Sequence, residues 1–169
     1  TDKISVDNIE SLKIKNVFIP FVNINYFLKE KFESFRYFHS STILLNSLIK
    51  YFKNAVQKHF FINVSEHILE LVYISNGQLQ FYNTFSFHSK EDFIYYILFS
   101  LEQLSLDPEE QPITLMGDIE FDSPLYKIAY KYIRYINFLN INNFSLSEEF
   151  YSNNSHISRH SYFELLNQF

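Results

Sequence analysis

HFFINVSEHILELVYISNGQLQFYNTFSFHSKEDFIYYILFSLEQLSLDPEEQPITLMGD, residues 59–118, carries the signals for three antiparallel strands, a helix and a fourth strand. Successive strand side chains point to opposite faces, so a period of two marks a strand. In residues 78–87, Leu79, Phe81, Asn83, Phe85 and Phe87 fall on one face, while Gln78, Gln80, Tyr82, Thr84 and Ser86 fall on the other. The run Ile68 to Ile74 precedes them across Ser75-Asn76-Gly77, and Asn-Gly supplies the positive φ angles of a tight hairpin. Phe60 to Val64 is predicted to pair with that second strand through a turn at Ser65-Glu66-His67.

The helix opens at Ser89 as N-cap with Asp92 three residues on, and His88 is placed to pack against Phe93. It is predicted to run from Phe93 to Leu104, with Phe93, Ile94, Ile97, Leu98, Leu101 and Leu104 as its apolar stripe. Tyr95, Tyr96 and Phe99 make the opposite side bulky, which predicts cover on both sides. Asp107-Pro108 opens a turn, and Ile113 to Met116 forms the next strand, ended by Gly117. A helical crossover separates it from the third strand, so it is expected to lie parallel to a strand of the same sheet.

Outward from that stretch the signals are shorter. Residues 1–15 suggest a short helix beginning near Asp7, and Asn16 to Phe21 a buried strand edged by Pro20. Asn23 to Phe32 suits a helix capped by Asn23 or Asn25, with Ile24, Phe27, Leu28 and Phe32 turned inward. Phe35 to His39 reads as a strand, and Ser40 or Ser41 caps a helix from Thr42 to Lys53. Beyond the central stretch, Ser123-Pro124 starts a helix with Leu125, Ile128, Ala129, Tyr132 and Ile133 inside. Tyr135 to Ile141 is the next strand, residues 142–154 a loop, and Tyr162 to Phe169 a closing helix or tail. The spacing within 16–53 resembles that within 113–141 and suggests two related lobes. The expected division is 1–58, the remainder of a first lobe; 59–141, a complete second lobe; and 142–169, a C-terminal loop and closing segment.

Composition narrows the chemistry. The 169 residues form one domain or two small lobes, and no run approaches the ~20 apolar residues that span a bilayer. The absence of cysteine excludes disulfides and thiolate metal sites and fits a cytoplasmic setting. A net charge of -5 argues against a surface that coats nucleic acid. Tyr and Phe are abundant, but they follow strand and helix periods instead of clustering with Arg or Lys, so they read as core and not as stacking platforms. With only two glycines, Gly77 and Gly117, neither a dinucleotide fingerprint nor a P-loop can be written. The first residue is Thr, so a segment preceding it is expected.

The run Lys90-Glu-Asp-Phe-Ile-Tyr-Tyr-Ile-Leu-Phe with Leu101-Glu-Gln-Leu and the Gly117 strand end resembles the bacterial domain-of-unknown-function family 3822. Val17-Phe-Ile-Pro-Phe-Val-Asn and Tyr37-Phe-His-Ser-Ser-Thr are similar to it as well. The resemblance implies an α/β, actin-like ATPase (ribonuclease-H-like) fold. Each lobe has a mixed sheet, three antiparallel strands then parallel ones, with flanking helices; the first lobe is incomplete here. It implies no established activity.

In catalytic actin-like ATPases the resemblance points to an Asp and a Gly in the first hairpin of a lobe, where Mg and phosphate are held. Here Asn63 and Ser65 stand at those positions; Asn is neutral, and Ser carries a side chain where close approach is needed. Either they touch an anion weakly or they serve ordinary turn chemistry, the preferred reading. Carried over in the same way, Gly117 and Asp118 are candidate adenosine contacts, with ATP and Mg the cofactors in question. His156 and His160 have the i, i+4 spacing of a zinc pair, with Glu164 as a conceivable third ligand, but no H-E-x-x-H motif; a solvent-facing pair is preferred, and no metal site is assigned. Asp107, Glu109, Glu110, Asp118, Glu120 and Asp122 read as a solvated acidic rim. A hydrolase triad lacks its G-x-S-x-G elbow, and a nuclease lacks carboxylates, Glu70 being the only acid on the second strand.

The expected function is therefore a noncatalytic pseudo-ATPase that recognises a protein or peptide and does not bind nucleic acid. The alternative is a nucleotide binder whose main phosphate loop lies in the missing N-terminal segment.

Overall fold

Both alternating sets of side chains on the strand His59–Ser65 (β3) are buried, because Phe60, Ile62 and Val64 face one layer and Phe61 and Asn63 the other. The computed structural model describes residues 4–140, 158 and 160–167. β3 lies at the middle of a five-stranded sheet with Ile68–Ser75 (β4), Gln78–Ser86 (β5), Ile113–Gly117 (β6) and Ile136–Phe138 (β7), in the order β5-β4-β3-β6-β7. β3, β4 and β5 are antiparallel neighbours, while β6 runs parallel to β3 and β7 parallel to β6. This is the expected mixed sheet, with the crossover placing β6 beside β3.

The crossover helix Lys90–Gln103 (α3) begins as its sequence dictates. Ser89 Oγ accepts from Asp92 N at 3.0 Å and Asp92 Oδ2 accepts from Ser89 N at 3.1 Å, a reciprocal capping box. Phe87, and not His88, meets Phe93, with ring centroids 5.6 Å apart. α3 and Pro124–Tyr132 (α4), capped by Ser123, cover the face carrying Phe60, Ile62, Leu71 and Leu115. The opposite face, with Phe61, Val72, Ile74 and Met116, is covered by Ser40–Phe52 (α2) and Phe163–Leu166 (α5). Contrary to expectation, the outer side of α3 is uncovered among the described residues: Tyr95 is 60% and Phe99 42% exposed.

β5 departs from strict alternation. Ile74 pairs with Leu79 and Tyr73 with Phe81, so Gln80 is an extra residue, a bulge. The bulge moves Leu79 to the α2 side beside Tyr82, while Phe81 and Phe85 stay on the α3 side. Leu79 therefore does not share a face with Phe81.

The N-terminal part differs most from its reading. Instead of a helix near Asp7, Ser5–Ile9 (β1) and Ile14–Phe18 (β2) form an antiparallel hairpin around a single 3-10 turn, Glu10–Leu12, with Lys13 at φ 56°. β2 ends before Pro20, and Val17 is exposed. Val22–Lys31 (α1) has Phe21 as N-cap, and neither Asn23 nor Asn25 holds that position. None of its residues is buried; Ile24 and Phe27 face outward, as does Phe32 just beyond its end. Residues 34–39 form no strand, so 16–39 lack the strand-helix-strand unit that resembled 113–141. Their path follows polar contacts: the buried Asp7 accepts at Oδ2 from His39 N and from Thr42 Oγ1, both at 2.8 Å. His39 is the N-cap of α2, Nδ1 accepting from Ser41 N, in place of Ser40 or Ser41. The anionic Asp7 at this helix N-terminus complements the macrodipole. The expected loop 142–154 lies outside the described residues, as does Ile141 of the strand expected over Tyr135 to Ile141, of which Ile136–Phe138 is formed.

Candidate functional site

The four residues singled out as nucleotide contacts converge. β3 and β6 run parallel, so Asn63 lies beside Met116 and Val64 beside Gly117, and Ser65 and Asp118 follow at the same strand ends. All four line one cleft of about 260 Å³, roofed by Tyr162 and Glu164. Gly117 sits at φ +82°, and a Cβ there would lie 2.1 Å from Val64 O and 2.7 Å from Asn63 Oδ1. Glycine is required here by close backbone approach, as at phosphate and adenosine contacts, but the neighbour it admits is β3 itself.

An anion site needs free N-H donors. In this cleft those of Gly117, Asp118 and the Asn63 amide are committed. Gly117 N donates to His160 O at 2.9 Å, and Asp118 N to Val64 O at 2.7 Å. Asn63 Nδ2 donates to Glu70 Oε2 at 2.8 Å and to Glu164 Oε1 at 2.6 Å, using both amide hydrogens. Among the described residues no Lys or Arg lines the cleft; its ionisable lining groups there are Asp118, Tyr162 and Glu164. Ser65 is exposed at the strand end.

Behind Asn63 lies a polar chain that the sequence reading passed over. Glu70 projects from β4 directly opposite Asn63 and is buried. Its Oε1 accepts from Tyr82 OH at 2.6 Å, and Tyr82 OH accepts in turn from Thr84 Oγ1 at 3.1 Å. Burial, and then the charge of Glu70, raises the Tyr82 hydroxyl well above its ordinary pKa. The half-buried Glu164 carboxyl is pushed up to about 7, chiefly by burial and secondarily by Glu70, with the Asn63 amide opposing. Two carboxyl groups thus share one carboxamide, an arrangement that holds a proton near neutrality but provides neither a nucleophile nor a cation cage. Glu70 was visible as the lone acid in an apolar strand, a signal for a buried polar partner. Glu164 left no local signal, because its partner is 101 positions away.

His160 is buried and not solvent-facing: Nε2-H donates to Ile119 O at 2.7 Å, and its ring packs on Phe138 at 4.5 Å. It clamps the Gly117 to Ile119 turn, while His156 lies outside the described residues. Among the described residues no group of three or more His, Cys, Asp or Glu is placed to hold a metal. The acidic residues flanking β6 are exposed: Asp122 pairs with Lys127 at 3.4 Å and Glu109 with Arg134 at 3.5 Å, a solvated rim.

The layered mixed sheet, with its cleft at the β3 and β6 ends, has the actin-like ATPase fold. It superposes on a crystal structure from Bacteroides thetaiotaomicron, described as a protein with actin-like ATPase fold and unknown function, with a TM-score of 0.72 at 22% identity. The match covers 82% of this chain and 54% of that one, so the chain spans about half the length of that protein. Residues 1–136 match the family model described as Protein of unknown function (DUF3822), and the chain belongs to that family. A comparison with curated proteins finds no match. Among the described residues no helix is long and apolar enough to cross a membrane.

Proposed function

We propose that the chain is a noncatalytic pseudo-ATPase, an actin-like frame that serves as a scaffold for a protein or peptide partner. The observation carrying this reading is that Gly117 N-H, Asp118 N-H and both Asn63 amide hydrogens are already bonded within the chain, in a cleft whose lining carboxyl groups repel phosphate. Residues 1–58 belong, in this reading, to a first lobe whose exposed apolar side chains need a covering layer. A net charge of -5 supports a protein or peptide partner over nucleic acid, and the lack of cysteine fits a cytoplasmic setting.

One observation favours a second reading, that of a nucleotide binder: Asn63, Ser65, Gly117 and Asp118 do meet in a single cleft. Its main phosphate loop would lie in the half of an actin-like frame that this chain does not span. Thermal unfolding of the full-length protein with and without ATP, ADP and Mg separates the two. The scaffold reading expects an unchanged midpoint at millimolar nucleotide. Binding at a hundredfold excess over Kd adds about 2.7 kcal/mol, and a midpoint shift of that size would overturn it.

A further inference from the structure

We propose that residues 160–166 are a strap that leaves the cleft as a unit while the sheet stays folded, and that the two carboxyl groups meeting at Asn63 are its trigger. The segment lies across the ends of β3 and β6 without being a strand of their sheet. His160 O accepts from Gly117 N at 2.9 Å, and Glu164 Oε1 accepts from Asn63 Nδ2 at 2.6 Å. Phe163 is buried in the α2 layer, its ring centroid 6.1 Å from that of Tyr51, while Tyr162 and Leu165 are exposed. α5 spans four residues, too few to keep a helical form without the surface beneath it. The family match ends at residue 136, so the matched frame does not include the strap.

Two adjacent amides mark where strap and sheet part. Gly117 N-H is held by the strap, through His160 O, whereas Asp118 N-H is held by the sheet, through Val64 O at 2.7 Å. The ladder between β3 and β6 and the bond from Asn63 Nδ2 to Glu70 Oε2 likewise make no use of the strap. When the strap lifts, Gly117 N-H and one Asn63 amide hydrogen pass to water. Asp118 N-H and the other Asn63 hydrogen stay committed, so this inference stands apart from both functional readings.

The contact at Asn63 contains a conflict. Glu70 Oε2 and Glu164 Oε1 approach the same amide nitrogen, which bonds both carboxyl groups and neutralises neither. Glu70 faces Glu164 from β4, with Tyr82 of β5 bonded behind it; Asp118, after β6, and Tyr162, on the strap, line the same cleft. His160 Nε2 is taken by Ile119 O, and Lys50, the one charged residue of α2, is exposed. Among the described residues none of these groups forms an ion pair with Glu164. Burial and then Glu70 push the Glu164 carboxyl from 4.5 up to about 7 in the closed form; once lifted into water it returns toward its ordinary value. Closure therefore takes up a proton, and its contribution is complete below pH 4.5 and lost as pH rises through about 7.

Amide hydrogen exchange of the 169-residue chain, followed residue by residue by NMR, tests this. Protection is taken relative to an unstructured peptide at the same pH, which cancels the intrinsic pH dependence of exchange. Gly117 N-H is expected to be less protected than Asp118 N-H. The ratio of the two should widen about tenfold between pH 5 and pH 8, after discounting for partial exposure of Glu164. Glu164→Gln keeps an acceptor for Asn63 and removes the ionisation, and in this variant the ratio is expected to stay constant with pH. Equal protection of the two amides at every pH overturns the strap, because segment and sheet then open together. A wild-type ratio that does not vary with pH, or one that varies equally in Glu164→Gln, overturns the carboxyl pair as trigger.

Discussion

Phe27 on α1 and Phe93 on α3 are each flanked by apolar helical neighbours, yet Phe93 is fully buried and Phe27 is 58% exposed. The same contrast separates residues 5–38 from 59–139. In the latter, β3 and β4 have a helical layer on each side, and every apolar residue of the two strands except Ile68 is buried. In the former, the two-stranded hairpin has α2 on one side and no described layer on the other, and α1 buries none of its residues; Val17, Ile19, Phe21 and Ile24 are exposed as well. Hydrophobic patterning determines which side of an element seeks cover, while burial depends on whether another layer is there.

Substitutions measure that contrast. Phe93→Ala removes a ring at the centre of the α3 layer and is expected to cost about 3–5 kcal/mol in chemical denaturation. A loss below ~1 kcal/mol would mean that the α3 layer is not the core that its burial implies. Next in size is Asp7→Ala. It strips the His39 amide and the Thr42 hydroxyl of their acceptor at the start of α2, for about 1–2 kcal/mol. Limited proteolysis should show the cut sites appearing in residues 5–38 before any in 59–139; the reverse order would show that Asp7 does not tie the hairpin down.

Glu164→Gln tests the cleft through pH. The Glu164 carboxyl is raised in the folded protein from 4.5 to about 7, so the folded state holds this proton more tightly than the unfolded one. Its contribution is full below pH 4.5 and is lost as pH rises through about 7. The variant keeps the acceptor for Asn63 without the charge. At pH 8 it should be more stable than wild type by ~1–2 kcal/mol after discounting for partial exposure, and equal to it near pH 4. Equal stability at both pH values would show that burial and Glu70 do not raise the Glu164 carboxyl in the folded protein. The smallest effect is the control for the whole comparison: Phe27→Ala should change stability by no more than about 0.5 kcal/mol. A larger loss would reveal that α1 is covered in solution.

What was legible in the sequence was what is encoded locally. Ser89 and Asp92 cap α3 three residues apart, Asn76-Gly77 turns β4 into β5, and the length of the crossover dictates the parallel β6. Gly117 was found because it is one of two glycines, and its neighbours on the cleft followed from the parallel register. The hairpin of β1 and β2 was missed because its turn uses Lys13 at positive φ, where no Gly or Asn announces it. The Gln80 bulge was missed because an alternating pattern contains no mark of an inserted residue. Residues 35–39 have strand-forming composition but follow the Asp7 contacts, which are set by positions some 30 residues earlier. The donors of the cleft looked available in sequence for the same reason: their acceptors, His160 O and Glu164, come from a distant segment.

That distance has a consequence for the order in which the molecule is completed. Chains emerge from synthesis N-terminus first, and contacts between remote positions pay their loop-closure entropy late. The sheet with α2, α3 and α4 can therefore assemble while the layer over Phe61 and Met116 still lacks Phe163. During that interval the Gly117 N-H and one of the two Asn63 amide hydrogens lack their acceptors, and the cleft stays open until residues 160–164 dock.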